Sequence, residues 1–494
     1  MLKKIFPFLI IFTVILFLYY PALFTYFSQD DFFHFKVSLT DGSIRKFVNL
    51  FGFYSFSDRG IAFYRPIFRE ALFNTFYSLF GLNAYPFRIF QFLILFLNSI
   101  LAYHLIQKIF KNKFLSFFVA FFYAICSAQV SPLYYLAGGI QVLGATTFLL
   151  LTLIFILKNS ILSYITFLLA LGSHELASII PFLISALLFI QYPFKKFLRK
   201  IWIACPFFFI LLVYLYLEIT KIGFSATEKE YQAIFSLKTI LNSYMWYAGW
   251  ALGLPEMLID FVLPGFKLNP TLLRYWGNYY MIIFSTFLTI FFLLTAAIIY
   301  LSIKKRNFFT KQLLFFISWF LLSLLPIILL PLHKSTQYLE TGLVAFWTII
   351  GLIILNVHQA SKLQLVRWER KVVSIFLFIL ISSLFILSAT SAILQRTTYW
   401  AAERGRYAEK LIKQVTTTYP ILPKGSVIYI ENDPNYPFVA TEWGSSSKQA
   451  AFILNNADAL RLVYKDSTIT VYYEDLEKPD LSENNIYFVV ARIY

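Results

Sequence analysis

The chain has 494 residues, of which 59% are hydrophobic and 14% charged. Its mean hydropathy of +0.70 excludes a soluble globular protein, because a soluble fold of this size could not bury so much apolar surface. The formal net charge of +17 does not indicate nucleic-acid binding, since the basic residues lie in short groups between apolar segments rather than on one soluble face.

The apolar segments predict an all-α polytopic membrane bundle of about eleven transmembrane helices, each needing roughly 20 residues to cross the hydrocarbon layer. The first segment follows Lys3 and Lys4 but is too long for a signal peptide and lacks a small-residue cleavage site, so we expect it to be retained. Cys126 and Cys205 lie in or beside apolar segments and indicate neither a disulfide scaffold nor a metal cluster. The predicted spans are residues 5–24, 88–107, 114–131, 139–157, 160–173, 175–192, 201–219, 279–303, 312–331, 338–357 and 372–393.

The basic residues predict the orientation of the chain, because short cytoplasmic loops are enriched in Lys and Arg. If the N-terminus is cytoplasmic, the predicted inner loops are the basic ones, while most acidic residues fall on the other side. These inner loops are marked by Lys3, Lys108, Lys158, Lys195, Lys304 and Arg370. We therefore predict a multi-pass protein of the cell membrane with a cytoplasmic N-terminus and an extracytoplasmic C-terminus.

Three extracytoplasmic segments are large in this arrangement. The first, about 25–87, carries amphipathic pieces around 44–56 and 67–80 that predict helices lying in the membrane interface, and the second covers about 220–278. Residues 1–393 are thus predicted to form the transmembrane domain. The composition changes at about residue 394, so residues 394–494 predict a small extracytoplasmic α/β domain. Its predicted elements are a helix over 399–417 and strands over 425–430, 462–464, 468–472 and 486–491.

A pair of adjacent carboxylates, Asp30 and Asp31, follows the first predicted span directly. Each carboxylate raises the pKa of its neighbour by like-charge repulsion, and such a pair suits a general base or a cation site. The alternative is that Asp30 and Asp31 cap an interfacial helix and face water.

Farther along the same loop, Tyr64 and Arg65 precede Pro66. The residue before a proline favours extended backbone, and a guanidinium group matches the oxygen pair of a phosphate. The alternative is that Arg65 binds lipid headgroups or pairs with Glu70.

This order of motifs resembles the GT-C superfamily of membrane glycosyltransferases. The features that carry the resemblance are the first helix, the Asp30–Asp31 pair at its outer end and the Tyr64–Arg65–Pro66 motif before the second helix. Within the superfamily, the chain is most similar to the branch of protein O-mannosyltransferases, their tetratricopeptide-containing relatives, and the bacterial family-39-like and ArnT-like enzymes. The resemblance is clearest over residues 1–190 and continues as architecture to about 395.

The resemblance implies roles for individual residues. Asp30 matches the presumed catalytic base of the family, and Asp31 its neighbour, which assists or binds a metal. Tyr64 and Arg65 match the loop motif that borders the donor site. His174 and Glu175 resemble a Lys–Glu element at an outer helix end; because His replaces Lys, the charge at position 174 stays open, as does the alternative that His174 caps a helix.

A later loop, residues 331–338, resembles one that closes over the donor in related enzymes, which implies that His333, Lys334 and Tyr338 contact the phosphate or the sugar. The alternative is an ordinary basic loop at the interface. The tail departs from the tetratricopeptide-containing branch because it shows no tetratricopeptide pattern, and this leaves the acceptor unidentified.

Together, the topology and the resemblance predict a glycosyltransferase that takes its sugar from a polyprenyl-phosphate donor within the membrane lipids and inverts the anomeric centre. The acceptor would be a lipid, glycan or protein hydroxyl, and no nucleic acid is expected. No cofactor is certain; a divalent metal at Asp30 and Asp31 stays open, since paired carboxylates suit hard cations but no complete ligand set is visible.

Two other functions remain open from the sequence. A lipid or sugar transporter or flippase would predict inverted repeats and ionisable residues near mid-membrane. A non-catalytic envelope scaffold would predict that Asp30 is dispensable.

Overall fold

The computed structural model describes residues 2–223, 231–265, 267–304, 310–364, 366–436, 444–477 and 485–493. The fold is mostly helical. Its long apolar helices are α1 (Leu2–Tyr19), α6 (Ala84–Phe110), α9 (Leu136–Ile156), α13 (Cys205–Leu217), α16 (Pro270–Ile303), α18 (Glu340–Gln364) and α19 (Arg367–Thr398).

Among the described residues, seven helical segments are long and apolar enough to cross a membrane. They are Ile5–Phe24, Ala84–Phe110, Leu136–Ile156, Cys205–Ile222, Pro270–Ile303, Thr336–Lys362 and Arg367–Thr418. An eighth crossing results if α7 (Lys113–Ile125) and the segment Ser127–Tyr134, which meet at 46°, count as one broken span. The chain is therefore a membrane protein with several spanning helices.

The predicted number of eleven spans is not confirmed. The three remaining predicted segments are helical, but they reach only 10–17 residues. These short apolar helices are Leu162–Leu171 (α10), Glu175–Gln191, which contains α11 (Ile180–Gln191), and Lys311–Ser323 (α17). A helix of this length is shorter than the roughly 20 residues that a straight crossing needs.

Short helices form the segment between the first two long helices, as predicted. They are α2 (Asp30–Ser38), α3 (Ile44–Asn49), α4 (Phe56–Arg59), a π-helical turn (Pro66–Ala71) and α5 (Leu72–Phe80). The second large loop contains α14 (Leu237–Leu252), α15 (Leu258–Phe261) and an antiparallel pair of two-residue strands, β1 (Val262–Leu263) and β2 (Lys267–Leu268). The remaining short helices are α8 (Val130–Tyr134) and α12 (Phe194–Lys200).

Two glycines allow α8 and α9 to meet closely. A Cβ atom at Gly139 would overlap the backbone carbonyl of Pro132, and one at Gly138 would overlap the ring of Tyr135 and the side chain of Gln337. The turn between the two helices depends on these missing side chains, and it is this turn that presents Tyr135.

The C-terminal region, defined here as residues 400–493, combines helices with a parallel sheet. The strands β3 (Val427–Glu431), β4 (Thr470–Tyr473) and β5 (Ile486–Val490) lie in the order β4-β3-β5. The helices are α20 (Trp400–Thr418), α21 (Ser446–Ile453) and α22 (Asp458–Tyr464). The strand predicted at 462–464 is wrong: these residues end α22, and the three-residue apolar run Leu462–Tyr464 was too short to distinguish a helix from a strand.

Candidate functional site

One cavity of about 1010 Å³ lies at the ends of several long helices, and the C-terminal region also contributes to its lining. Seven of the nine predicted site residues line this cavity: Asp30, Arg65, His174, Glu175, His333, Lys334 and Tyr338. They come from four separate stretches of the sequence. The other two predicted residues, Asp31 and Tyr64, are not among its lining residues.

Asp30 is the first residue of α2 and reaches the cavity beside Tyr135. The Tyr135 hydroxyl donates a short hydrogen bond to Oδ2 of Asp30. Tyr135 follows the last turn of α8, so the bend between α8 and α9 determines where this donor lies. A donor at this place orients the carboxylate.

Asp31 has a structural role. Its side chain is 2% exposed, and its two oxygens accept backbone N–H groups, one from Ser28 at 3.0 Å and one from Ala137 at 2.8 Å. Burial raises the pKa of Asp31 to about 6, although both hydrogen bonds oppose that shift. Asp31 thus joins the start of α2 to the start of α9 and does not form a paired site with Asp30.

The Arg65 guanidinium lines the cavity and also hydrogen-bonds to other side chains of the protein. Its Nε donates to Oε2 of Glu175 at 2.8 Å, its Nη2 donates to Oε1 of the same carboxylate, and its Nη1 donates to Gln141 at 2.9 Å. The Arg65 side chain is 15% exposed and that of Glu175 28%. The alternative pairing with Glu70 is wrong, since Glu70 binds Arg69 at 2.9 Å.

Tyr64 points away from the cavity. Its ring stacks on Phe53 with 3.8 Å between ring centroids, and its hydroxyl donates to the Phe51 carbonyl at 2.9 Å. Tyr64 therefore packs the first loop against itself, and its backbone N–H donates to Glu218.

His174 is neutral. It is 2% exposed, and Nδ1 accepts the backbone N–H of Leu176 at 3.2 Å, so the alternative that it caps a helix is confirmed. Burial, with the positive charge of Arg65, lowers the pKa of His174 to about 3. Nδ1 of His174 lies 3.4 Å from Oε2 of Glu175, but because the histidine is neutral the two do not form an ion pair. His174 therefore does not supply the positive charge that a lysine would bring here.

The loop before α18 is held by the buried carboxylate of Glu256, which is not one of the nine predicted site residues. Glu256 accepts the Thr336 backbone N–H at 2.7 Å, the Thr336 hydroxyl through a short bond, and the Ser335 hydroxyl at 3.3 Å. Burial raises the pKa of Glu256 to about 6. These contacts position the neighbouring residues His333 and Lys334 at the cavity.

Aromatic contacts complete the same loop. His333 Nε2 and the Tyr338 hydroxyl are 2.6 Å apart, and the His333 ring lies 4.6 Å from that of Tyr231. Lys334 Nζ donates to Asn242 at 3.3 Å, and burial lowers the pKa of Lys334 from its ordinary value. The loop therefore brings the partly buried ammonium group of Lys334 to the cavity.

The C-terminal region contributes residues that sequence analysis missed. The Arg404 guanidinium lies 4.8 Å from the Trp400 ring and 4.7 Å from the Phe452 ring, and its Nη1 donates to Gln29 at 2.6 Å. Lys448 also lines the cavity. The sequence predicted only that Arg404 lies within the helix over 399–417, and it gave no signal for Tyr135 or Lys448.

The described residues contain no complete ligand set for a metal ion. They contain no group of three His, Cys, Asp or Glu side chains placed to hold an ion, and both oxygens of Asp31 are already bound to backbone donors.

Comparison with known proteins gives no relative for this chain. No protein-family model matches it, no curated protein matches its sequence and no solved structure matches its fold.

Proposed function

We propose that this membrane protein is a glycosyltransferase of the GT-C type, which moves a sugar from a polyprenyl-phosphate donor to an extracytoplasmic hydroxyl acceptor. The observation that supports this proposal is a single cavity shared by the carboxylate of Asp30 and the cations Lys334, Arg404 and Lys448. A base and several cations are what such a transfer requires, since a proton leaves the acceptor while negative charge develops on the departing phosphate.

Asp30 is the proposed base. It takes the proton of the acceptor hydroxyl as that oxygen forms a bond to the anomeric carbon, and the bond from this carbon to the phosphate oxygen breaks with its electron pair remaining on the lipid phosphate. One displacement inverts the anomeric centre. The Tyr135 hydroxyl holds the Asp30 carboxylate in place during the step.

Of the cations that would neutralise the leaving phosphate, Lys334 is one that the resemblance implied, whereas Arg404 and Lys448 are not. Arg65 already binds Glu175, and His174 is neutral. Lys334, Arg404 and Lys448 line the same cavity and are better suited to the role. Of these, Lys334 is held by the loop before α18, and the other two belong to the C-terminal region.

The proposed orientation has the N-terminus in the cytoplasm and the cavity at the outer face of the membrane. The donor would then arrive within the bilayer, since its polyprenyl chain partitions into lipid. Residues 394–494 are proposed to form an extracytoplasmic α/β domain that closes one side of the cavity. The distribution of basic loops supports this orientation.

Donor turnover by the purified protein tests the proposal. Labelled polyprenyl-phosphate sugars are incubated with wild-type protein in nanodiscs, and transfer or slow hydrolysis is compared with that of Asp30→Asn. We expect the variant to lose at least about 100-fold in turnover, as for removal of a general base.

The matched control is Asp58→Asn, because Asp58 is an exposed carboxylate in the same loop and lies outside the cavity. It should keep wild-type turnover. Equal turnover by Asp30→Asn and wild type, or no turnover of any donor by folded wild-type protein, would contradict the proposal and favour a transporter or a scaffold.

A further inference from the structure

Gln29 has a backbone conformation that usually requires glycine. Its φ of 52° and ψ of −116° match the first central position of a type II′ turn, and the turn is closed by the Asp31 N–H, which donates to the Ser28 carbonyl at 3.1 Å. Glycine dominates this position because a Cβ atom is strained there. A glutamine at this place therefore carries backbone strain that the contacts around it must offset.

The backbone N–H and the side-chain oxygen of Gln29 both form hydrogen bonds with the C-terminal region. Its backbone N–H donates to the Ile453 carbonyl at 2.8 Å, and its Oε1 accepts from Arg404 at 2.6 Å. Arg404 is itself held between the Trp400 and Phe452 rings. Gln29 is therefore fixed from two sides by residues more than 370 positions away in the sequence.

The other end of α2 is attached to the same part of the C-terminal region. Lys36 forms an ion pair with Asp458 at 3.0 Å, and Asp458 also accepts from Asn455 at 2.8 Å. The short segment between Ile453 and Asp458 thus contacts α2 at its start and at its last turn.

The residue that follows Gln29 is Asp30, and the torsion angles of Gln29 set the direction in which the chain enters α2. We propose that Gln29 is a positioning residue: docking of the C-terminal region holds its strained turn, and this turn directs the Asp30 carboxylate toward Tyr135 and the cavity. The inference rests on the proposed function, because it makes sugar transfer depend on the docked C-terminal region.

Gln29→Gly tests the role directly. Glycine adopts the same backbone angles without strain, so the variant keeps the turn accessible while losing the bond to Arg404. We expect an unchanged or slightly raised melting temperature, a kcat about tenfold lower and a donor KM within twofold of wild type. Gln29→Glu retains the length and the acceptor oxygen, and should restore kcat to within about threefold.

The matched control is Asp41→Gly. Asp41 is also a non-glycine residue at positive φ, 50°, in the same loop, but it is exposed and lies outside the cavity. Glycine at position 41 should leave kcat unchanged.

Hydrogen exchange separates this inference from the proposed function. We expect Gln29→Gly to increase amide exchange over residues 28–38 and 453–458, whether or not any sugar is transferred. Wild-type protein that turns over no donor would overturn the proposed function, whereas the increased exchange would still support the attachment of α2. A variant with wild-type kcat, or with wild-type exchange in both segments, would overturn the positioning role.

Discussion

Two arginines line the cavity and are held in opposite ways. Arg65 forms a two-point ion pair with Glu175, so its charge is balanced within the protein. Arg404 is held by two aromatic rings and by the neutral amide of Gln29. The arginine expected from a motif thus serves the scaffold, whereas an arginine without a motif brings positive charge to the site.

Removal of the balancing carboxylate should have the largest effect. Glu175→Gln leaves the Arg65 charge largely buried without its partner, which we expect to lower the free energy of unfolding by about 3 kcal/mol. Thermal unfolding followed by tryptophan fluorescence measures the loss. The control is Glu403→Gln, because Glu403 belongs to an exposed pair with Arg406 at 3.8 Å and should cost less than about 1 kcal/mol. Equal losses in both variants would show that the Arg65 pair is not structural.

The second expected effect concerns ligand binding. Arg404→Ala should raise the KM for a polyprenyl-phosphate sugar about tenfold, equivalent to about 1.4 kcal/mol, because the anionic phosphate loses a cation. Arg404→Lys keeps the charge but not the planar stacking, so its KM should lie between those of the wild type and Arg404→Ala. Steady-state kinetics with Arg406→Ala as the exposed control measures the difference. An unchanged KM in Arg404→Ala would show that Arg404 does not bind the donor, and the contrast between Arg65 and Arg404 would then not concern the donor site.

The smallest expected effect is a pH dependence of the free energy of unfolding, which arises from His174 beside Arg65. The pKa of His174 is lowered to about 3 in the folded protein, whereas an unfolded histidine titrates near its ordinary value of about 6.5. The contribution of neutral His174 to the free energy of unfolding is therefore fully present above pH 6.5. It falls as the pH decreases toward 3, because in this range only the unfolded chain binds a proton at His174. The expected loss between pH 6.5 and 5.5 is about 1 kcal/mol.

His174→Asn tests this dependence because asparagine can cap the same turn but does not titrate. The difference in unfolding free energy between wild type and variant should shift in favour of the variant as the pH falls. Parallel pH profiles would mean that His174 is not the source of the acid sensitivity.

The long spanning helices could be predicted from sequence because an apolar segment of about 20 residues leaves a clear pattern. The same pattern placed Asp30 directly after the first span and Lys334 in the loop between two later spans, and both line the cavity. What it could not supply is side-chain direction: Asp30 and Asp31 are adjacent, but α2 turns one toward the cavity and the other toward the backbone of Ser28 and Ala137.

The contribution of the C-terminal region could not be predicted for a different reason. Arg404 and Gln29 meet across 375 positions in the sequence. A contact between residues so far apart in the sequence leaves no local periodicity. The tail also carries no motif that would predict which surface it packs against. The number of spans was also beyond local reasoning, since α10 and α17 are apolar but short.

The glycines between α8 and α9 have a consequence for the range of sequences that this fold accepts. Any side chain at Gly139 would meet the Pro132 carbonyl, and any at Gly138 would occupy the space between Tyr135 and Gln337. Because Gly138 also lines the cavity, even a change to alanine there would alter the shape of the site without altering its charge. Descendants of this sequence should therefore vary freely over much of the lipid-facing surface while they keep these two positions empty.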